Sequence, residues 1–129
     1  MPAFLSDDWF ATAQRLEAEA GDVPVATALA AVVLNFTVPD SRVGVVDFHL
    51  ERGTHFVKGH DAAGLVRLTM PASVAKQILV DWNRNAAMQA LLSGKIAIEG
   101  SKMKLMALQT MPTEKHRALL DAIDRVTET

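Results

Sequence analysis

Alternating apolar and polar positions predict β-strands in the middle of the chain. Every second residue is apolar in residues 43–51 and again in residues 65–70. This period places one side of an extended backbone against a core. Residues 54–58 follow a tight turn, and residues 95–99 lie between two glycines, so both segments are also predicted as short strands.

Residues 25–38 favour two structures in turn. The alanine-rich part, residues 26–31, is compatible with a helical turn. The β-branched part, residues 32–38, favours a strand. Pro39-Asp40-Ser41 then predicts a turn into the next strand.

Helical spacing predicts helices at both ends of the chain and between the later strands. Ser6 can cap a first helix by accepting a backbone N–H, and Gly21 is expected to end that helix after about residue 20. Pro71 suits the start of the next helix. Apolar residues at three- and four-residue steps predict the remaining helices in residues 74–82, 86–92, 101–108 and 113–126.

The order of these elements predicts an α+β fold. A helix precedes a meander of strands, and two helices, one strand and further helices follow. Such an order favours helices packed on one face of a sheet. The last strand follows a long helical crossover, so we expect it to pair parallel with an earlier strand and make the sheet mixed.

The composition limits the classes of function. The 129 residues suit one domain, residues 1–129, and there is no cysteine for disulfide or thiolate chemistry. A net charge of −2 gives no support for nucleic-acid binding. No apolar run approaches the roughly 18 residues of a membrane span, and the first residues do not resemble a signal peptide. We therefore expect a soluble, cytoplasmic protein without stable membrane insertion.

The polar residues do not predict a catalytic or metal site. His49 and His55 fall on neighbouring predicted strands with Asp47 and Asp61 nearby, but a metal needs three or four converging ligands. His49 and Asp47 share the polar side of an alternating strand, which predicts a solvated face instead. No serine or histidine has the spacing of a nucleophilic centre. We expect no catalytic residue, no metal and no cofactor.

Gly94 and Lys95 follow the predicted helix of residues 86–92 and lead into the last strand. Gly94 lacks the upstream glycine of a phosphate-binding loop and precedes a strand, so its expected role is to permit a tight turn. Lys95 is expected at the solvent edge, where it can also meet a lipid head group or a CoA phosphate.

Apolar residues on the later helices fit two structures. Methionine is unbranched and adapts to irregular spaces, which suits both a packed core and the wall of a binding cavity. Short helices over one sheet can part to admit a ligand. The residues concerned are Ile78, Leu79, Trp82, Met88, Leu91, Leu92, Met103, Met106 and Leu108.

Several segments resemble one family of lipid-binding domains. The most specific is residues 88–108, where a helix precedes Gly-Lys-Ile-x-Ile-x-Gly and a Met/Leu-rich helix follows. Residues 4–9, 43–53 and 61–70 also resemble segments of the family, which is the sterol-carrier-protein-2 (SCP2) family, in particular its bacterial stand-alone members. The resemblance implies a five-stranded mixed sheet covered by helices. It also implies an apolar tunnel for sterols, fatty acids, fatty acyl-CoA or other lipids, with no shared catalytic residues.

Two segments depart from the family pattern. Many members carry a glycine where this chain has Val80-Asp81-Trp82, and the indole of Trp82 is expected to narrow or line an opening. The helix after Pro112 is longer than in several eukaryotic members. It is either a lid or a cover for the core, and we favour the cover.

These observations together predict a non-catalytic protein that binds and carries or presents a hydrophobic ligand in an apolar cavity. Two alternatives stay open: an accessory domain that presents an isoprenoid or quinone-type intermediate to an enzyme, and a structural or dimerisation module with a filled core. The expected partner is a lipid or another hydrophobic small molecule, and the expected state is a monomer or weak homodimer. The predicted ligand-binding residues are Phe48, Val66, Leu68, Ile78, Trp82, Met88, Leu92, Met103 and Met106.

Overall fold

A computed structural model describes residues 1–64, 66–100 and 107–128. The helices are α1 (Asp7–Ala20), α2 (Thr27–Ala30), α3 (Ala72–Leu79), α4 (Arg84–Leu92) and α5 (Glu114–Arg125). The strands are β1 (Val33–Ser41), β2 (Gly44–Glu51), β3 (His55–Lys58), β4 (Val66–Thr69) and β5 (Ala97–Gly100). The predicted helix in residues 101–108 lies mostly outside the described residues, and residues 107–109 form a 3-10 turn.

The five strands form one mixed sheet in the order β3-β2-β1-β4-β5. The predicted α+β class and mixed sheet are confirmed. Strands β1 and β4 pair parallel, whereas β5 pairs antiparallel with β4. The expectation that the last strand pairs parallel was therefore wrong. A single crossover helix returns the chain to the start of the preceding strand, but the two helices α3 and α4 run out and back, so β5 starts near the end of β4.

The two faces of the sheet differ as the alternation predicts. Phe36, Phe48 and Leu68 lie opposite one another on β1, β2 and β4, and all are fully buried beneath the helices. Residues one step along each strand point to the outer face. Because the side-chain period of a strand is two residues, one correct assignment of Phe48 fixes the face of every other residue on β2.

Trp9 joins the two ends of the chain to the sheet. Its indole packs edge-on against Phe56 of β3, with ring centroids 5.2 Å apart, and its Nε1 donates to Thr127 Oγ1 at 2.9 Å. Ser6 caps α1 as predicted, accepting from Trp9 N, and Gly21 ends the helix. The position of Trp9 explains how α1 and the end of α5 form one layer over the sheet.

Helix α5 buries its apolar stripe. Leu119, Leu120 and Ile123 are almost completely inaccessible to solvent, and α5 packs against α1. A helix with this one-sided pattern gains most of its stability from such packing. Its position agrees with a cover for the core, whereas the choice between cover and lid stays a prediction.

Two turns around α4 fit the local sequence. Asn83 caps the helix by accepting from Ala86 N at 3.0 Å, so α4 begins at Arg84, earlier than predicted. Beyond the other end, Gly94 has φ +76°, and Lys95 N donates to Ala90 O at 2.9 Å. This bond holds Lys95 in the turn after the helix, so β5 begins at Ala97 and not at Lys95.

Candidate functional site

A small apolar cavity lies between the sheet and the helices, where β4, α3 and α4 meet. Its volume is about 30 Å³, close to the space that one water molecule occupies. None of the described residues that line it carries a charge. The lining residues are Leu68, Met70, Ile78, Ala87, Leu91, Ile96, Leu108 and Gln109.

The local sequence explains how the cavity walls form. Leu68 reaches the helix side of the sheet through the two-residue period of β4, and Ile78 belongs to the buried stripe of α3. On α4 the contact with the body is made by Ala87 and Ala90, which are 6% and 5% exposed. Small side chains allow a helix to approach closely, but they fill little space, and a gap beside Ala87 follows from this.

Helix α4 turns Met88 and Leu92, which are 46% and 80% exposed, away from the core. Leu91 is 38% exposed and lies on the side of Ala87, where it lines the cavity. Periodicity alone does not choose between the alanine stripe and the Met/Leu stripe, because both are apolar. The structure places the alanines inward.

The predicted ligand-binding residues fall into four groups. Leu68 and Ile78 line the cavity. Phe48, Val66 and Trp82 are buried but are not among its lining residues. Met88 and Leu92 lie on the exposed side of α4, and Met103 and Met106 lie outside the described residues.

Phe48 belongs to an aromatic layer and not to the cavity wall. Its ring stacks on Phe36 with centroids 5.1 Å apart and contacts Phe10 at 5.8 Å. Such layers gain stability from both apolar burial and ring geometry. For the residues in this layer, a structural role explains the burial.

Sequence reasoning missed some of the lining residues. Met70 extends the alternating set of Val66 and Leu68, so the strand period was a usable signal. Leu91 and Leu108 stand in the apolar stripes but were not selected. Ile96 alternates with Ile98 in the predicted strand of residues 95–99, so it also gave a signal, although the structure places it in the turn before β5.

Trp82 occupies a backbone position that usually favours glycine. It follows the end of α3 with φ +50°, and the next residue, Asn83, donates its N–H to Gln77 O at 2.9 Å. Left-handed backbone is costly for a bulky residue, and glycine is common at such helix ends. Trp82 is nevertheless held there, because its indole is buried and its Nε1 donates to Thr110 O at 2.9 Å.

Trp82 also contacts a buried histidine that the sequence did not single out. The ring centroids of Trp82 and His116 are 5.1 Å apart, and His116 Nε2 lies 3.1 Å from Gly53 O. Because a carbonyl only accepts, the neutral imidazole carries its proton on Nε2. Burial lowers the pKa of His116, the Gly53 carbonyl opposes that shift, and the charge of Arg117 adds to it.

The outer face of the sheet is not the solvated strand face that we expected at His49. His49 is only 7% exposed because residues 59–64 cross over it. Its Nε2 lies 3.0 Å from Glu51 Oε1 and 3.9 Å from Asp61 Oδ2. Among the described residues, these three side chains are the one set of His, Cys, Asp or Glu grouped closely enough to hold a metal ion.

Larger depressions lie on the surface and offer polar groups. One of about 510 Å³ surrounds Glu17 and His55, and one of about 490 Å³ surrounds Arg84 and Arg117. Their charged residues suit a water-filled surface better than an apolar ligand. In the described parts of the chain, no helix has the length and apolar character that crossing a membrane requires.

Comparison with known proteins identifies the fold. No protein-family model and no curated protein matches the sequence. SCP2-L2 from Aedes aegypti matches with a TM-score of 0.54 and 19% identity, over 81% of this chain and 97% of its own. The palmitated form of SCP2L2 from Aedes aegypti matches with a TM-score of 0.51 and 19% identity, over 92% of this chain and 95% of its own.

The ubiquinone synthesis protein UbiJ-SCP2 has a similar structure too. It matches with a TM-score of 0.51 and 17% identity, over 90% of this chain and 95% of its own. The chain therefore has an SCP2-like fold, and the resemblance seen in the sequence is confirmed at the level of the fold.

Proposed function

We propose that this chain binds a hydrophobic ligand between β4, α3 and α4 and carries or presents it without catalysis. The observation that carries the proposal is an uncharged apolar cavity at this place in an SCP2-like fold. One structure of the same fold is palmitated. A lipid would be stabilised there mainly by the burial of its apolar surface, at about 25 cal/mol per Å².

Helix α4 is the wall that would move to admit the ligand. Binding cavities for small molecules measure roughly 300–1,000 Å³, so the described cavity of about 30 Å³ must expand. Helix α4 is attached through Ala87 and Ala90, and each methyl group contributes only about 0.8 kcal/mol of burial. Displacing α4 therefore costs little compared with displacing α3 or α5.

The same movement would bring large apolar residues to the ligand. Met88 and Leu92 lie on the outer side of α4, and a rotation of the helix would bring them towards the cavity. In the ligand-bound form, the predicted set Phe48, Val66, Leu68, Ile78, Trp82, Met88, Leu92, Met103 and Met106 would surround the ligand, either directly or through the layer behind it.

The proposed ligand class is a long-chain fatty acid or its acyl-CoA. The described residues that line the cavity carry no charge, so we expect the polar end of the ligand to reach solvent. Lys95 is exposed just beyond the C-terminal end of α4 and can pair with a carboxylate or phosphate at that point. A sterol, which has a single hydroxyl, would gain less from this lysine.

A second candidate function is presentation of a quinone-type intermediate to an enzyme. The observation that favours it is the similarity in fold to the ubiquinone synthesis protein UbiJ-SCP2. Both functions need the same apolar site. They differ in ligand, so a direct competition between palmitate and a short-chain ubiquinone analogue separates them.

A fluorescent fatty acid titrated into delipidated protein tests the proposal. Leu91→Asp places a charge in the cavity wall and should weaken binding by about tenfold or more. Val45→Asp is a matched control, because Val45 is 68% exposed on the outer face of the sheet. Equal affinity in the two variants, or no saturable binding by the parent protein, would contradict the proposed site.

Leu92 provides a sharper test of the helix movement. It is 80% exposed, so Leu92→Ala should change the free energy of unfolding by less than about 0.5 kcal/mol. If α4 turns inward on binding, the same change should weaken fatty-acid binding several-fold. An unchanged affinity would show that Leu92 stays outside the bound state.

A further inference from the structure

The outer face of the sheet carries a polar cluster that lipid binding on the inner face does not use. Residues 59–64 connect β3 to β4 by crossing over β2 and β1. Asn35 of β1 holds this segment through both ends of its side-chain amide. Its Nδ2 donates to Asp61 O at 2.9 Å, and its Oδ1 accepts from Asp61 N at 2.8 Å. The segment is therefore fixed against the strands.

Glycine 64 is required for this arrangement. A Cβ at that position would lie 2.4 Å from Asn35 Nδ2 and 2.9 Å from Asn35 Cγ, well inside contact distance. Asn35 is 5% exposed and has no room to withdraw without losing its two bonds. Gly64 thus permits the close approach that places Asp61 over His49.

The imidazole of His49 is oriented with its second nitrogen towards two carboxylates. Its Nδ1 lies 2.8 Å from Gly59 O, and a carbonyl can only accept, so Nδ1 carries a hydrogen. Nε2 faces carboxylate oxygens, so its hydrogen bond to Glu51 needs a hydrogen on Nε2 as well, and a bound cation would take the place of that hydrogen. Nε2 is 3.0 Å from Glu51 Oε1 and 3.9 Å from Asp61 Oδ2.

The carboxylate of Asp61 is likewise held in one orientation. Its Oδ1 accepts the N–H of Ala63 at 2.8 Å, which leaves Oδ2 towards His49. The ligand atoms of His49, Glu51 and Asp61 all lie within 4.8 Å of one another. Ligand atoms at about 2.0–2.2 Å from a tetrahedral zinc ion are roughly 3.3–3.6 Å apart, so small side-chain adjustments reach that geometry.

We propose that His49, Glu51 and Asp61 bind a first-row divalent metal ion of the Zn²⁺ type. One imidazole nitrogen and two carboxylate oxygens suit such an ion, and the two negative charges balance it. The bond from His49 Nδ1 to a backbone carbonyl is the outer contact that metal-binding histidines usually make. Glu51 and Asp61 side chains are each 32% exposed, which leaves a path for the ion and room for a water ligand.

The ion would link the segment 59–64, which connects β3 to β4, to strand β2. It lies on the face opposite the apolar cavity, since His49 and Phe48 alternate along β2. Its role is therefore stability of the sheet, and the ion should leave fatty-acid affinity unchanged. The proposal is independent of the lipid-binding function.

Calorimetric titration of chelator-treated protein with Zn²⁺ tests the proposal. We expect saturable binding of one ion per chain and a higher melting temperature with Zn²⁺ present. Asp61→Asn keeps the oxygen that accepts from Ala63 but removes the charge on Oδ2, so the fold should persist. Affinity for Zn²⁺ should fall at least about tenfold in Asp61→Asn and further in His49→Gln.

The matched control is His55→Gln. His55 lies on the neighbouring strand β3 and pairs with Glu17, outside the cluster. Its replacement should change Zn²⁺ affinity less than twofold. Equal Zn²⁺ binding by the parent and Asp61→Asn proteins, or no saturable binding, would overturn the proposal. Binding of Mg²⁺ as tight as binding of Zn²⁺ would also overturn the proposal, because a nitrogen ligand disfavours Mg²⁺.

Discussion

Trp82 and His116 meet edge to face in the interior, with ring centroids 5.1 Å apart. Trp82 follows the end of α3 in a left-handed backbone conformation, and His116 lies in the first turn of α5. His116 Nδ1 has no hydrogen-bond partner among the described residues. The contact therefore joins the end of α3 to α5 through a histidine whose pKa is lowered by burial.

Acid should destabilise the protein through His116. Burial lowers the pKa of this imidazole in the folded state, so the unfolded chain binds the proton more readily. The stabilising contribution is complete above the ordinary pKa of about 6.5 and is lost as the pH falls towards the folded value. Thermal melts between about pH 7.5 and 5.5 measure this loss.

His116→Gln keeps a group that can donate to Gly53 O but does not titrate. Its melting temperature should be lower at neutral pH and should fall less than that of the parent on acidification. His60→Gln, a change at a partly exposed histidine of the outer face, is the control. If the melting temperature of His116→Gln falls on acidification as much as that of the parent protein, other groups cause the acid sensitivity.

Gly94 should be sensitive to replacement because of its backbone and not because of its surroundings. Its φ is +76°, and no atom of the described residues lies within 4 Å of an added Cβ. Gly94→Val should lower the free energy of unfolding by about 1–3 kcal/mol, since β-branched residues are strained in this region. Asparagine tolerates a positive φ better than valine does, so Gly94→Asn should lose clearly less stability. Denaturant unfolding in which both variants lose equal stability would contradict a strained turn.

Removal of α5 should unfold the protein. Leu119, Leu120 and Ile123 are buried, and Thr127 receives the indole N–H of Trp9. Three such side chains contribute on the order of 5–9 kcal/mol of burial, comparable to the whole stability of a small domain. A chain ending at Thr110 should therefore lack a cooperative melt in circular dichroism. A truncated protein with a cooperative melt and a near-native spectrum would make α5 a lid.

The strand faces were predictable from sequence, because each strand obeys a local rule. The two-residue period of a strand places Phe48 and Leu68 on the helix side of the sheet. Their orientation can therefore be predicted without knowledge of any distant contact. Ser6 and Gly21 likewise mark the ends of α1 through local bonds. These features depend on neighbours within a few residues, which a sequence displays directly.

The inward face of α4 and the cover over His49 were not predictable in this way. Both sides of α4 are apolar, so only the close packing of Ala87 and Ala90 on the body decides its orientation. His49 is covered because Asn35 binds Asp61, which lies 26 residues further along the chain. Contacts of this kind appear only after the chain has folded.

Methyl NMR of delipidated protein during titration with palmitate tests the central claim most directly. The account predicts saturable shifts at the methyl groups of Leu68, Ile78 and Leu91 around the apolar cavity. Val43, 54% exposed in the turn between β1 and β2, and Val45, 68% exposed on the outer face of the sheet, should not shift. Saturable shifts confined to Val43 and Val45, or no saturable shifts at any methyl group, would contradict an apolar ligand site between the sheet and the helices.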